Sequence, residues 1–259
     1  LNMTNLTTFT NSSGTIAMTG TGTLTTNGKT LFNLTTTGSG TITLANTTHT
    51  LAGSLNIGTS SIITPGTSTV VMSGPNKTIT GGGASTNALY NLQISDDTTL
   101  QTNNQEVTNN LTVDNAKTLT VTSVALKLRC VSCAVLTLNG SIVGTGEVNY
   151  YTSNAFPSTG TISAKLIFIA DSGPFTWIAS ARTYGGAVEV YSSSGGSTRT
   201  LRMGTGGGQT LNFSSSLKIN LAAGNAQNVT IDAATNNPTV NVTGDIDFFG
   251  PGSGTPIIQ

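Results

Sequence analysis

Formal charge is what this 259-residue chain has least of: ten Lys+Arg and ten Asp+Glu, 8% of all residues, balance to zero. An ordinary soluble domain carries about 25%. So few Lys and Arg form no basic patch able to hold a phosphate backbone, which argues against nucleic acid as a partner. One histidine, His49, and two cysteines leave acid–base and metal chemistry short of groups. No apolar run exceeds Leu166–Ala170, far below the roughly 20 residues of a membrane span. The opening Leu1-Asn2-Met3 lacks a charged n-region and an apolar h-region, so it does not read as a signal peptide. The missing initiator Met is expected of a piece excised from a longer precursor. No window of a dozen residues keeps an i, i+3, i+4, i+7 apolar stripe, so helix is expected to be nearly absent.

Uncharged polarity fills the gap. Threonine occupies 50 positions and glycine 31. Apolar and hydroxyl residues alternate at period two in Thr41-Ile-Thr-Leu44, Thr118-Leu-Thr-Val121, Leu217-Lys-Ile-Asn-Leu221 and Val240-Asn-Val-Thr-Gly244. That alternation marks a strand with one buried face, and Thr, Asn, Ser and Gly between the runs mark turns. An internal repeat is also visible. Thr15-Ile-Ala-Met-Thr-Gly20 returns as Thr69-Val-Val-Met-Ser-Gly74, and Leu31-Phe-Asn-Leu34 as Leu89-Tyr-Asn-Leu92. Leu44, Leu51, Leu55 and Ile57 likewise return as Leu100, Val107, Leu111 and Val113. The expected organisation is a β-solenoid over 1–124, with copies at about 13–67 and 68–124. A connecting region with the CxxC follows at 125–159, then a divergent β-rich continuation at 160–259. An all-β parallel solenoid with coils of roughly 20 residues is the leading fold, and tandem β-sandwich modules are the alternative. Short Gly/Asn corners and uncharged residues able to stack like on like favour the solenoid. About twelve coils would make a rod roughly 60 Å long.

The segments Ser68-Thr-Val-Val-Met-Ser-Gly-Pro-Asn-Lys-Thr-Ile-Thr-Gly81 and Leu89-Tyr-Asn-Leu-Gln-Ile-Ser95 resemble the repeat units of large secreted β-helical surface proteins of bacteria and archaea. Asn237-Pro-Thr-Val-Asn-Val-Thr-Gly244 has a similar character. The resemblance covers 13–124 well and the rest loosely. It implies a structural or adhesive role at a cell surface, as adhesin, filament, sheath or stalk, and carries over no active site or cofactor. The partners it leads one to expect are copies of the same chain and surface glycans, in an extracellular setting. A carbohydrate-binding or polysaccharide-lyase-like β-helix is the runner-up and a viral fibre a third reading. The runner-up needs an exposed row of Tyr or Trp, or acids clustered across neighbouring coils.

Candidate sites are few. N-x-[ST] triplets fall at Asn2, Asn5, Asn11, Asn33, Asn46, Asn76, Asn110, Asn139, Asn212, Asn228 and Asn241. A chain this rich in Asn and Thr produces some by composition alone. Yet residues 1–95 hold six of them beside only two formal charges, Lys29 and Lys77, and sugars would supply the missing solvation. Cys130 and Cys133 read first as a short-loop disulfide; a reduced pair and half of a metal site are the alternatives. Asp96-Asp97 could act jointly only at a turn. Asp245 and Asp247 would project from one face about 7 Å apart, as a carboxylate pair or weak Ca²⁺ site, or simply as a solvated strand end. His49 has no nucleophile motif beside it and is expected to face solvent in a ladder. Gly204–Thr210 lacks the Lys of a phosphate loop and reads as a turn. Phe175, Trp177 and Ile178 are expected in the core. No residue is assigned to catalysis.

Overall fold

The structure, a computed structural model, describes residues 1–83, 85–129, 136–170, 175–192, 198–221, 228–250 and 255–259. Among them the regular structure is almost wholly short strands, with one 3₁₀ turn at Ser85–Asn87. Every pairing between strands is parallel, and each strand pairs with its equivalents one coil before and after. This is a parallel β-solenoid. Eleven strands, from Thr15–Met18 to Thr239–Val242, make the first long sheet. A second long sheet runs from Thr30–Leu31 to Ile246–Phe249, with Leu136–Leu138 as a side branch on the strand Gln105–Val113. Ten spacings between eleven rungs, at about 4.8 Å each, give a stack about 50 Å tall.

A parallel sheet is usually covered on both faces and reads as a continuous apolar run. Here most strands turn one face into the coil and the other to water, and so alternate; Leu166–Ile169 and Val229–Asp232 are buried on both faces. Leu31, Leu51, Met72, Ile94, Val113 and Leu138 stand in one inward column of the second sheet and are fully buried. Leu34, Leu55, Ile79, Leu100 and Val121 form the equivalent column of the first. Outward columns stack hydroxyls: Thr23–Thr43–Thr64, Thr78–Thr99–Thr120 and Thr118–Ser141–Thr161. In the last of these the Thr161 hydroxyl donates to Ser141 Oγ at 2.7 Å.

The third wall changes corner along the rod. In the N-terminal coils it lies between the first sheet and the second, as Gly22–Leu24, Thr41–Leu44 and Ile62–Thr64. In the C-terminal coils it follows the second sheet, as Phe175–Ala179, Arg199–Met203, Val229–Asp232 and Pro256–Ile258. The coils between turn directly from the first sheet to the second through Thr102, Ser123 and Gly144, all at positive φ. At Gly144 (φ 117) a Cβ would sit 2.2 Å from the Val121 carbonyl, so only glycine fits. The coil also lengthens, from 21 residues between Asn33 and Ser54 to 29 between Asn212 and Asn241. The wider interior is filled by rings: Tyr150, Phe156, Phe168, Trp177, Tyr184 and Phe213 are all buried, whereas the earlier core is aliphatic.

The two similar segments near the N-terminus fall on different walls: Thr15–Met18 belongs to the first sheet and Thr69–Met72 to the second. The repetition of roughly 55 residues is therefore out of phase with the coil. Across 125–159 the stack continues, because Ala125–Leu128 and Glu147–Tyr150 are neighbours in the second sheet.

Leu51→Ala should cost about 2–5 kcal/mol in urea unfolding, the range for a truncated core leucine. Thr99→Ala, on an outward column, should cost less than about 1 kcal/mol. Equal losses at the two positions would contradict the inward and outward assignment.

Candidate functional surface

The acids of the sequence are spent on holding coils together. Asp96 and Asp97 occupy the turn after Leu89–Ile94. Lys117, from the turn one coil on, donates to Asp96 at 2.8 Å, and the Thr118 amide donates to Asp97 at 2.8 Å. That lysine holds the Asp96 carboxyl below its usual range. Asp114 in turn accepts from Gln93 (3.0 Å) and Ser95 (2.7 Å) of the preceding coil. Asp245 lies just before the strand Ile246–Phe249 and is exposed, while Asp247 stands 3.4 Å from Lys218. Among the described residues no three His, Cys, Asp or Glu side chains gather as a metal-binding group.

His49 does not face solvent. It falls on an inward position of Thr48–Leu51, beside Val70 of the next coil, and is fully buried. The period-two pattern Thr48-His49-Thr50-Leu51 puts it on the same face as Leu51, which the histidine's polarity disguised. Its Nε2 lies 3.0 Å from the Ala45 carbonyl and so carries the donated proton; Nδ1 accepts from the Thr26 hydroxyl at 3.1 Å. Burial pulls its pKa below 6.5, partly opposed by the bond to Ala45.

Gly204–Thr210 is a turn closed on itself: Gln209 Oε1 accepts the Thr205 amide at 2.7 Å, and Asn236 Nδ2 donates to the Gly204 carbonyl at 2.7 Å. Trp177 is buried with its indole N–H aimed at the Ile169 carbonyl (3.3 Å), and Phe175 packs on the core. Ile178 corrects the expectation. It alternates outward with Thr176 and is half-buried, opposite Arg202. Tyr150 and Tyr184 are buried, and burial raises both hydroxyl pKa values. Tyr151 and Tyr191 remain half-exposed.

All eleven sequon asparagines are exposed or half-buried. Asn2, Asn5, Asn46, Asn76, Asn139, Asn228 and Asn241 are exposed; Asn11, Asn33, Asn110 and Asn212 are half-buried. Asn33 is tied by two coils, donating to Thr15 (3.3 Å) and accepting from the Ser54 amide (2.8 Å). Asn241 donates to Asn212 at 2.8 Å. Cys130 and Cys133 lie outside the described residues.

Two features carry chemistry that the sequence did not announce. The first is the outer face of the second sheet, where charges are paired across rungs. Lys165 meets Glu189 at 2.7 Å and Glu147 at 3.9 Å, Arg129 meets Glu106 at 3.6 Å, and Lys218 meets Asp247. Their sequence separation of about a coil is the signal that was available. The second is the last rung. Ile246, Phe248 and Ile258 are 45%, 47% and 53% exposed although the first two sit on core-facing positions, opposite Leu217 and Ile219. Val240 and Val242 beside them are only half-buried. At the opposite end, residues 1–3 bond along Thr23–Thr25 and bury Met3, and Phe9 packs on the core. A cleft of about 420 Å³ lies there between Leu1 and Thr15–Gly22. A second, of about 420 Å³, follows the corner that the third wall vacates, past Asn104, Ser123, Thr145 and Lys165. No protein family, curated protein or solved structure matches this chain.

The buried neutral histidine sets a pH dependence. The unfolded chain takes up a proton at His49 near pH 6.5 and the folded one only at lower pH. Its contribution is therefore complete above 6.5 and is lost as pH falls below it. The melting temperature should fall between pH 7 and 5.5, and His49→Gln should flatten that fall. An equally steep fall in the variant would contradict it.

Proposed function

We propose that this chain is a structural, non-enzymatic extracellular protein, a subunit or segment of a cell-surface filament, stalk, sheath or adhesin. The observation that carries the reading is the tall, regular parallel stack itself, eleven rungs whose outward columns are rich in hydroxyls and poor in charge. Strand edges of such a stack can template another strand, and the self-association is placed there: Thr239–Val242, Ile246–Phe249 and Pro256–Ile258 each pair with the preceding coil, and a rung from a second copy would pair with them in the same way. Core-facing Ile246 and Phe248 stand open at the same place, so a further rung would bury apolar area along with satisfying the edges. Contact between the end of one copy and the start of another is heterologous and propagates as a filament instead of closing as a ring. The near-absence of charge suits this role: identical rungs stacked across copies meet no repeated like charge.

Glycosylation belongs to the same proposal. The first 95 residues carry two formal charges, and their six sequon asparagines all reach the surface at least partly. Sugars there would supply hydration that charge does not.

Light scattering and negative-stain electron microscopy over a rising concentration series test the association. Particles lengthening along the rod axis are expected, and Phe248→Lys should abolish the lengthening with the circular dichroism unchanged. A monomer at every concentration would overturn the strand-edge reading. Intact mass of protein from its native source should fall on enzymatic deglycosylation; an unchanged mass would refute the glycosylation.

A further inference from the structure

Hydroxyls and paired charges make up much of the rod's surface, and an outward column on the second sheet carries rings instead. On the second sheet Ile169 faces Tyr191, Tyr191 faces Asn220, and Asn220 faces Phe249. Tyr151 directly follows Tyr150, which faces Phe168, and so stands beside Ile169 in the same column. Rings thus recur on every second rung, at Tyr151, Tyr191 and Phe249, about 9.6 Å apart at two rung spacings. Tyr151 and Tyr191 are half-buried and Phe249 is 43% exposed. The strip is also held in place. The Arg129 guanidinium lies 4.2 Å from the Tyr151 ring centre, and Lys218 Nζ lies 5.9 Å from that of Phe249. Asn220 between two of the rings is fixed by donating to Glu189 Oε1 at 2.8 Å.

Charge on this face cancels locally. Lys127, Arg129, Lys165 and Lys218 share it with Glu106, Glu147, Glu189 and Asp247, and most are paired with one another across rungs. Such a surface offers a polyanion or polycation no net attraction. It suits an uncharged polyol, whose hydroxyls can meet the fixed Asn220 amide and the Asp247 carboxylate while its C–H faces lie on the rings.

We propose that this column is a binding platform for a neutral, extended polysaccharide of equatorially linked pyranose rings. Such a chain turns over at each sugar, so it shows the same face at every second residue, close to the spacing of the rings here. Tyr151, Tyr191 and Phe249 stack on alternate sugars; Asn220 lies beside an intervening one and Asp247 beside Phe249 on its own rung, while buried Glu189 holds the Asn220 amide. The rings stand on, or directly after, alternate strands of one sheet. It lies on the side of the rod and does not rest on the strand-edge reading.

Affinity electrophoresis through hydroxyethylcellulose, with calorimetry on cellohexaose, tests it on the full chain. The protein should be retarded and should bind the hexasaccharide. Tyr191→Ala should weaken binding by about tenfold or more, Tyr191→Phe should retain it, and Thr99→Ala on the other sheet should leave it unchanged. Circular dichroism confirms that each variant is folded; if Tyr191→Ala is not, Tyr151→Ala takes its place with the same expectation. No retardation of the parent protein, tighter binding to polygalacturonate than to the neutral chain, or full binding by the folded alanine variant would each overturn the proposal. Sedimentation of the same samples reads self-association separately, so failure of one proposal is distinguishable from failure of the other.

Discussion

Each coil of this protein must place, directly above the residue below, a side chain of like size and like polarity. Parallel pairing at about 4.8 Å imposes that constraint, because an inward position that changes volume leaves a void or a clash in two neighbouring coils at once. The inward column Leu31–Leu51–Met72–Ile94–Val113–Leu138 obeys it with aliphatic residues alone. The outward columns obey it with threonine, since a hydroxyl both donates and accepts and repeats without electrostatic cost. Scarce charge follows from the same rule. Where charge does occur in a stack it alternates in sign, as in Glu189, Lys218 and Asp247 on three successive rungs.

The exceptions lie where the coil changes shape. When the third wall moves to the other corner and the coil grows, aliphatic side chains no longer fill the section. Aromatic rings take over, with Tyr150, Phe156 and Phe168 edge to face and Tyr184 stacked on Phe213 at 5.0 Å. Arg182 is buried among them, over Phe156 and Tyr184, and donates to the carbonyls of Pro157 (2.6 Å) and Gly160 (3.0 Å). Burial lowers its pKa, and these carbonyl bonds replace part of the water it gave up.

Strand content, the parallel solenoid and the inward or outward side of most residues were legible from period-two alternation. A coil length of roughly 20 residues was legible too, but its growth to 29 and the phase of the repeat were not, because the visible duplication of about 55 residues is not a whole number of coils and sends Thr15–Met18 and Thr69–Met72 to different sheets. His49 was misplaced because polarity outweighed register, although Thr48 and Thr50 already fixed its side. Ile178 failed in the opposite sense: an apolar residue that alternates outward. The aromatic column could not be found from sequence alone, since Tyr151, Tyr191 and Phe249 meet only once coils of unequal length are laid in register.

Stacking in register along a single axis is the claim on which rod, strand-edge association and aromatic strip all depend. Spin labels at Ala17 and Asn241, outward on the first and last strands of the first sheet, measure it directly by pulsed electron resonance. The account predicts a narrow distribution centred at about 50 Å, ten rung spacings apart. A distance below about 30 Å, as folded-back β-sandwich modules would give, would contradict it.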